Sequence, residues 1–161
     1  MRKILIFGNS ASGKSTLAKQ LAQSDNLAHL DLDLLAWQPT NPPTRTPLDD
    51  SRKAIEQFIQ LHTSWVIEGC YTDLLAMVEA ASSEVIFMNL PVAQCIANAK
   101  SRPWEPHKYD SKEAQDANLA MLIEWISQYE SREDTFSKHA HTEFYQNYLG
   151  DKEMFISNAQ P

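Results

Sequence analysis

The run IFGNSASGKST, residues 6–16, constrains this chain more than any other stretch. Gly8 to Ser15 fits the spacing GxxxxGK[ST] and uses two of the chain's four glycines, set five residues apart, directly before a lysine and two hydroxyls. Average usage predicts about eleven glycines for this length, so the pair marks positions where no bulkier residue serves. Before it, Lys3–Phe7 is a short β-branched apolar run that fits a strand buried on both faces. After it, Leu17, Ala18, Leu21 and Ala22 recur at helical spacing between Ser15 and Ser24. In such a strand, glycine loop and helix, consecutive main-chain N–H groups point inward and the helix N-terminus adds partial positive charge.

A cradle of that kind grips phosphate oxygens, and glycine is needed where the backbone takes positive φ or a ligand comes close. The motif assigns Gly8, Asn9, Ser10, Ala11, Ser12, Gly13, Lys14, Ser15 and Thr16 to nucleotide binding. Lys14 reaches the β- and γ-phosphates, the Ser15 hydroxyl holds Mg²⁺, and Thr16 supports the inner phosphates. A chance match in a chain this short has odds of roughly one in a few hundred. The alternative, a glycine turn with a surface lysine, does not account for the strand and helix on either side.

Length and composition narrow the rest. With 161 residues the chain is expected to form one domain, large enough for a core without disulfide or metal staples. The formal charge of −7, from 14 basic and 21 acidic residues, opposes broad attraction to nucleic acid or to an anionic membrane. Cys70 and Cys95 form no CxxC pair and read as ordinary buried thiols in a reducing compartment. The apolar run Ile4–Phe7 is too short for a signal-peptide core or a membrane span, so the expectation is a cytoplasmic, soluble protein. The five histidines show no metal-binding spacing. Oligomeric state has no readable signal.

Further along, Leu27–Leu32 reads as a second strand, Ser64–Glu68 closed by Gly69 as a third, and Val85–Leu90 stopped by Pro91 as a fourth. A fifth is expected at Met154–Ser157. Between the second and third lies a proline-rich loop, Gln38–Pro47. Thr46 is placed to cap the next helix, with Pro47 at its first position, Asp49 reaching back, and Ala54, Ile55, Phe58 and Ile59 as its apolar stripe. Helices from about Thr72 to Ala81 and Val92 to Lys100 flank the fourth strand. This alternation predicts a doubly wound α/β fold with a parallel sheet covered on both faces. Residues 102–150 contain no strand pattern. There Asp110 is expected to cap a helix carrying Ala114, Ala117, Met121, Leu122, Trp125, Ile126 and Tyr129, and a second helix, marked by Phe136, Ala140, Phe144 and Tyr148, is expected to end at Gly150. This segment reads as a helical insertion and a candidate lid.

Four further stretches carry candidate chemistry. In HLDLD, Asp31 and Asp33 share a face at the end of a strand, where doubly wound sheets bind ligands. One can hold Mg²⁺ through water and the other can orient or deprotonate an acceptor hydroxyl; the bland alternative is a helix cap at Asp33 with Asp31 solvated. In WVIEGCY, Glu68 ends a strand as a metal-associated acid, Gly69 either admits a ligand or makes a tight turn, and Tyr71 lines an acceptor pocket. In KSRPWEPHKY, Arg102 first and Lys108 second are candidates for a cation brought to a transferring phosphoryl group, a contribution worth about 10³ to 10⁵ in rate, unless both are solvated charges at a helix end. Trp37, Arg45 and Arg52, within an acceptor-side segment spanning 34–63, can recognise a ring and an anionic group, or serve as packing.

Taken in order, GNSASGKST, HLDLDLLAW, WVIEGCY and KSRPW resemble the nucleoside monophosphate kinase and shikimate kinase group of P-loop proteins, and within it the adenylate-kinase-related, topology-modulation-like set. The resemblance implies a P-loop NTPase fold with a five-stranded parallel sheet, ATP and Mg²⁺ as cofactors, and γ-phosphoryl transfer to a small acceptor. Asp31 then corresponds to a metal-associated aspartate, Asp33 to an acceptor-binding one, and Arg102 to a lid arginine. The chain departs from the group by placing Cys70, Tyr71 and Thr72 after Gly69 and by nearly lacking lid arginines, so no known substrate carries over. The leading expectation is a small-molecule kinase using Lys14, Asp33 and Arg102. A nucleotide-binding regulatory module with weak or no turnover is the alternative, and a kinase for nucleic-acid ends is disfavoured by charge.

Overall fold

The computed structural model describes residues 1–158 of the chain. Five strands form one parallel sheet: β1 (Lys3–Gly8), β2 (Ala28–Asp31), β5 (Trp65–Gly69), β6 (Glu84–Met88) and β7 (Asp151–Phe155), in spatial order β2-β5-β1-β6-β7. A two-residue pair, β3 (Trp37–Gln38) and β4 (Thr44–Arg45), makes a small antiparallel hairpin outside it. β1 lies at the centre because Ile4, Leu5, Ile6 and Phe7 are all fully buried, two on each face. A sheet of this kind needs helices on both sides.

Those helices divide cleanly. On one face, Ile4, Ile6, Val66 and Ile86 pack with Ala18 of α1 (Lys14–Asp25), Cys95 of α5 (Val92–Lys100) and Ile126 of α6 (Lys112–Ser127). On the other, Leu5, Phe7, Ile67 and Phe87 pack with Ile55 of α3 (Leu48–Leu61), Leu74 and Val78 of α4 (Thr72–Val78), and Phe144 and Tyr145 of α7 (Lys138–Asn147). A one-turn helix, α2 (Asp33–Ala36), follows β2, and a 3₁₀ turn at Glu79–Ala81 follows α4. Cys70 and Cys95 are free and buried, and burial pushes the Cys70 thiol up to about 12, so it is an inert apolar group. No helix among the described residues is long and apolar enough to cross a membrane.

Several local expectations are corrected. Thr46 does not cap α3: its N–H donates to the Ala36 carbonyl (2.9 Å), closing the turn behind the β3–β4 hairpin, so Pro47 takes the cap position and the helix starts at Leu48. The cap of α6 is Ser111 rather than Asp110, its hydroxyl accepting from the Ala114 N–H at 3.1 Å. The last strand covers 151–155 instead of 154–157. It is a largely exposed edge strand beginning Asp151, Lys152, Glu153, so its register against β6 leaves no apolar run to mark it. α7 ends at Asn147, and Gly150 leads directly into β7.

The 102–150 insertion is two different things. α7 is a layer of the core: Phe144 meets Phe7 edge-on at 5.1 Å, and Tyr145 tilts over Phe87 at 5.9 Å. Only the residues leading into α6, together with Leu122, border the crevice described below. Between α6 and α7, Tyr129 and His141 make a buried relay to the main chain after β5. His141 is fully buried, its Nε2–H donates to the Cys70 carbonyl at 2.8 Å, and its Nδ1 accepts from the Tyr129 hydroxyl at 2.7 Å.

Burial pushes the His141 imidazole down to about 4. The unfolded chain therefore binds the extra proton first, and the stability that neutral His141 contributes is complete above about pH 6.5 and lost as pH falls toward 4, up to about 3 kcal/mol. Urea unfolding of wild type and His141→Gln at pH 7 and pH 4.5 checks this. The variant is expected to be less stable at pH 7 and to lose less on acidification; equal losses would take His141 out of the acid response.

Candidate active site

The register of the central strands sets the site. Asp31 of β2 pairs with Glu68 of β5, and Glu68 pairs with Ile6 of β1, so two carboxylates stand side by side at the carboxyl end of the sheet, next to the loop that leaves β1. His29, two residues before Asp31, projects to the same face. Its Nε2 meets Glu68 Oε2 at 2.9 Å, while the Ser15 hydroxyl donates to Glu68 Oε1 at 3.0 Å. Glu68 is only 2 % exposed, and both of its oxygens are occupied.

The loop from Gly8 to Gly13 takes the conformations its spacing requires. Gly8 (φ +152°), Ala11 (φ 61°) and Gly13 (φ +91°) lie at positive φ. A Cβ on Gly8 would sit 2.5 Å from the Met88 carbonyl, and one on Gly13 would sit 2.6 Å from the Asn158 amide nitrogen. The Asn9 side chain ties the loop to the Ile126 carbonyl at 3.2 Å, and Asn98 and Asn158 donate to the Ala11 and Ser12 carbonyls at 2.9 and 3.1 Å. Lys14 Nζ donates to the Asn9 carbonyl at 2.6 Å.

Across from the loop, α2 presents Asp33. The turn entering α2 is satisfied by Asp31, whose carboxylate accepts the Asp33 N–H at 2.9 Å, so Asp33 has no capping duty. The Tyr71 hydroxyl donates to Asp33 Oδ1 and itself accepts the Trp37 indole N–H at 2.8 Å. Lys108 Nζ lies 3.0 Å from Asp33, 3.7 Å from Asp31 and 3.6 Å from Glu105, while Arg102 pairs with Glu105 at 3.0 Å. Asp33 stays 43 % exposed, within reach of a ligand.

These surroundings pull the two aspartates apart. Burial and the charges of Glu68 and Asp33 push Asp31 above the usual carboxylate range. For Asp33 the loss of solvent works in the same direction, but the Lys108 ammonium and the Tyr71 hydrogen bond outweigh it and hold the carboxyl below its ordinary value. Lys108, despite its own desolvation, is raised by Asp33 and Asp31 and stays charged.

Between loop and carboxylates lies a crevice of about 530 Å³, lined among others by Lys14, Ser15, Asp31, Asp33, Glu68 and Arg102. Ser10, Ala11, Gly13, Thr16 and Gly69 also border it. A second hollow of about 400 Å³ opens on the far side of Gly13, shared by Arg102, Asn98 and Asn158. Gly8, Asn9 and Ser12 sit behind the loop as its support. Tyr71 reaches the crevice through Asp33. Gly69 is needed for close packing, since a Cβ there would fall 2.9 Å from the Leu32 Cβ.

The acceptor-side trio does not gather at the crevice. Arg45 pairs with Asp73 at 3.2 Å and lies 5.2 to 5.8 Å from the rings of Tyr71, Phe136 and Trp37. Trp37 stacks on Phe136 at 6.4 Å, and Arg52 is on the exposed face of α3. Sequence reasoning missed His29, Glu105, Asn98 and Asn158. Strand alternation from Asp31 was enough to put His29 on the site face, and Glu105 stands three residues from both Arg102 and Lys108, a local spacing that was readable; Asn98 and Asn158 act across 87 and 146 positions, which no local pattern reveals.

The donor set fits a nucleotide with a hard divalent cation. Ser12 Oγ is buried without a partner among the described residues, and Lys14 rests on a main-chain carbonyl of its own loop. Hydroxyl and carboxylate oxygens from Ser15, Asp31 and Glu68 suit Mg²⁺, which takes one or two carboxylates and otherwise water and phosphate. No group of three or more His, Cys, Asp or Glu among the described residues is arranged to hold a metal unaided.

No protein-family model matches the chain, and no curated protein matches it. Solved structures do. Shikimate kinase from Bacteroides thetaiotaomicron is 15% identical over 97% of this chain and 86% of that one, with a TM-score of 0.52. A sugar kinase from Janibacter sp. HTCC2649 is 13% identical over 100% and 87%, at 0.55. A gluconokinase from Sinorhizobium meliloti 1021 is 16% identical over 99% and 84%, at 0.54. At such identities the likeness establishes the fold alone, an α/β fold built on a five-stranded parallel sheet.

Tyr71→Phe leaves the Trp37 indole and Asp33 each one partner short, an expected loss of about 1–2 kcal/mol in urea unfolding. The Tyr145 hydroxyl makes no hydrogen bond among the described residues, so Tyr145→Phe is expected to change stability by less than about 0.5 kcal/mol. A Tyr71→Phe variant as stable as wild type would show that the Trp37–Tyr71–Asp33 chain holds nothing.

Proposed function

We propose that the chain is a small-molecule kinase that transfers the γ-phosphoryl group of Mg-ATP to a hydroxyl of a small acceptor. The observation that carries this reading is the glycine loop of residues 8–13 facing, across one crevice, an accessible carboxylate held ionised by Tyr71 and Lys108. When bound, Mg-ATP supplies the phosphoryl group and the charge neutralisation that such transfers need. Ser15, with Asp31 and Glu68 behind it, would hold the cation. Lys14 would exchange its main-chain partner for phosphate oxygens. Asp33 would accept the hydrogen bond of the acceptor hydroxyl, aligning it and taking its proton as it reacts. Arg102, between the crevice and the neighbouring hollow, would add positive charge to the transferred group. The low identity to kinases of this fold leaves the activity to this site geometry.

A second reading has one observation in its favour: Arg102 is the one arginine that borders the crevice, and it is engaged by Glu105. A regulatory module that binds nucleotide with little turnover would need no more cations than these. ADP release stimulated by an acceptor separates the two readings.

Ligand at a hundredfold over its Kd stabilises a fold by about 2.7 kcal/mol, which for a chain of this size raises Tm by roughly 5 to 10 °C. Mg-ATP is expected to do so for wild type and to have little effect on Lys14→Ala. An equal rise in the variant would exclude Lys14 from phosphate binding.

A further inference from the structure

The cations of this chain can be accounted for almost one by one. It has five arginines. Arg2 is held by Asp25 and Glu84 at the opposite end of the sheet, Arg45 by Asp73 within aromatic rings, and Arg132 by Asp134 while lying over Trp125. Arg52 is exposed on α3. Arg102 alone reaches the crevice, on the side of the phosphate loop and the second hollow. Of the nine lysines, only Lys14, Lys19 and Lys108 line the crevice, and the first two belong to the loop and α1.

The half of the crevice facing the loop is therefore left with Asp31, Asp33 and Glu105 around one ammonium, that of Lys108. All three carboxylates lie within 3.7 Å of it. A carboxylate or phosphate on the acceptor is ordinarily clamped by a bidentate arginine. The one arginine that borders the crevice, Arg102, is held by Glu105 at 3.0 Å, and an incoming anion would meet Asp33 at close range with the Lys108 ammonium already shared three ways. Hydroxyl and ammonium groups meet the opposite situation, since they donate to carboxylates.

From this accounting, and resting on the kinase reading above, we propose that the acceptor is a hydroxyl compound without an acid group, of the polyol, sugar or amino-sugar class, and that Asp33 and Glu105 select it. Lys108 fills the position of a donor group of that acceptor and turns aside to Glu105 when the acceptor enters. Loss of the Lys108 side chain then spares turnover of aminated acceptors more than that of neutral ones, because an ammonium replaces the missing charge.

The test is ADP release from Mg-ATP with a set of hydroxyl compounds sorted by charge: glycerol, glucose and N-acetylglucosamine as neutral members, ethanolamine and glucosamine as cations, and glycerate, gluconate and glucuronate as acids. The best acceptor is expected among the neutral or aminated members, with kcat/KM at least tenfold above that of the acid of matching skeleton. An acid as best substrate, equal rates for matched pairs, or no stimulation by any member overturns the proposal. Thermal shift with Mg-ATP alone keeps the two levels apart. A rise with an acid preferred sinks only the acceptor class, whereas no rise removes the kinase reading itself.

Discussion

The site depends on one row of registered residues. Ile6, Glu68 and Asp31 stand abreast on β1, β5 and β2, so that the parallel pairing of three strands decides where two carboxylates meet the loop that leaves the central strand. A slip of one residue in either pairing would turn a carboxylate to the opposite face, into the apolar layer of Leu5, Phe7 and Ile67. Burying an unpaired charge there is prohibitive, so the cores on the two faces fix the chemistry as firmly as they fix the sheet.

Charge in the crevice is arranged in series. His29 and Ser15 occupy both oxygens of Glu68, Asp31 satisfies the turn that starts α2, and Tyr71 and Lys108 flank Asp33. Each group that supports the next is itself fixed by an element of the sheet or its covering helices, with the exception of Lys108, which arrives on the irregular stretch between α5 and α6. Tyr71 is aimed by a main chain whose Cys70 carbonyl is gripped from α7 by His141. The helical insertion thus serves the site mainly from beneath, as part of the core, and touches it from above only through its first residues.

Much of this was legible in the sequence, for identifiable reasons. The glycine loop, the first strand and its helix announce themselves because glycine spacing and apolar periodicity are local signals. Asp31 and Glu68 could be placed at strand ends from the apolar runs they close, whereas Asp33, expected on the same strand face as Asp31, opens helix α2 instead, because β2 stops at Asp31. What escaped was either non-local or disguised. The last strand is an edge of charged residues whose pairing, not composition, makes it a strand. Thr46 looked like a cap but spends its N–H on a hairpin turn. Arg45 and Trp37 carried two readings, recognition or packing, and the partners the structure gives them, Asp73 and Phe136, lie 28 and 99 positions away.

Asn158 bears on the order in which the molecule can mature. It donates to the Ser12 carbonyl and accepts from Asn98, so the far end of the described chain steadies a bend made by residues 8–13. Synthesis proceeds from the N-terminus, and β1 and α1 emerge long before their last brace. A nascent chain on the ribosome therefore carries this loop without its Asn158 brace until residue 158 has been made.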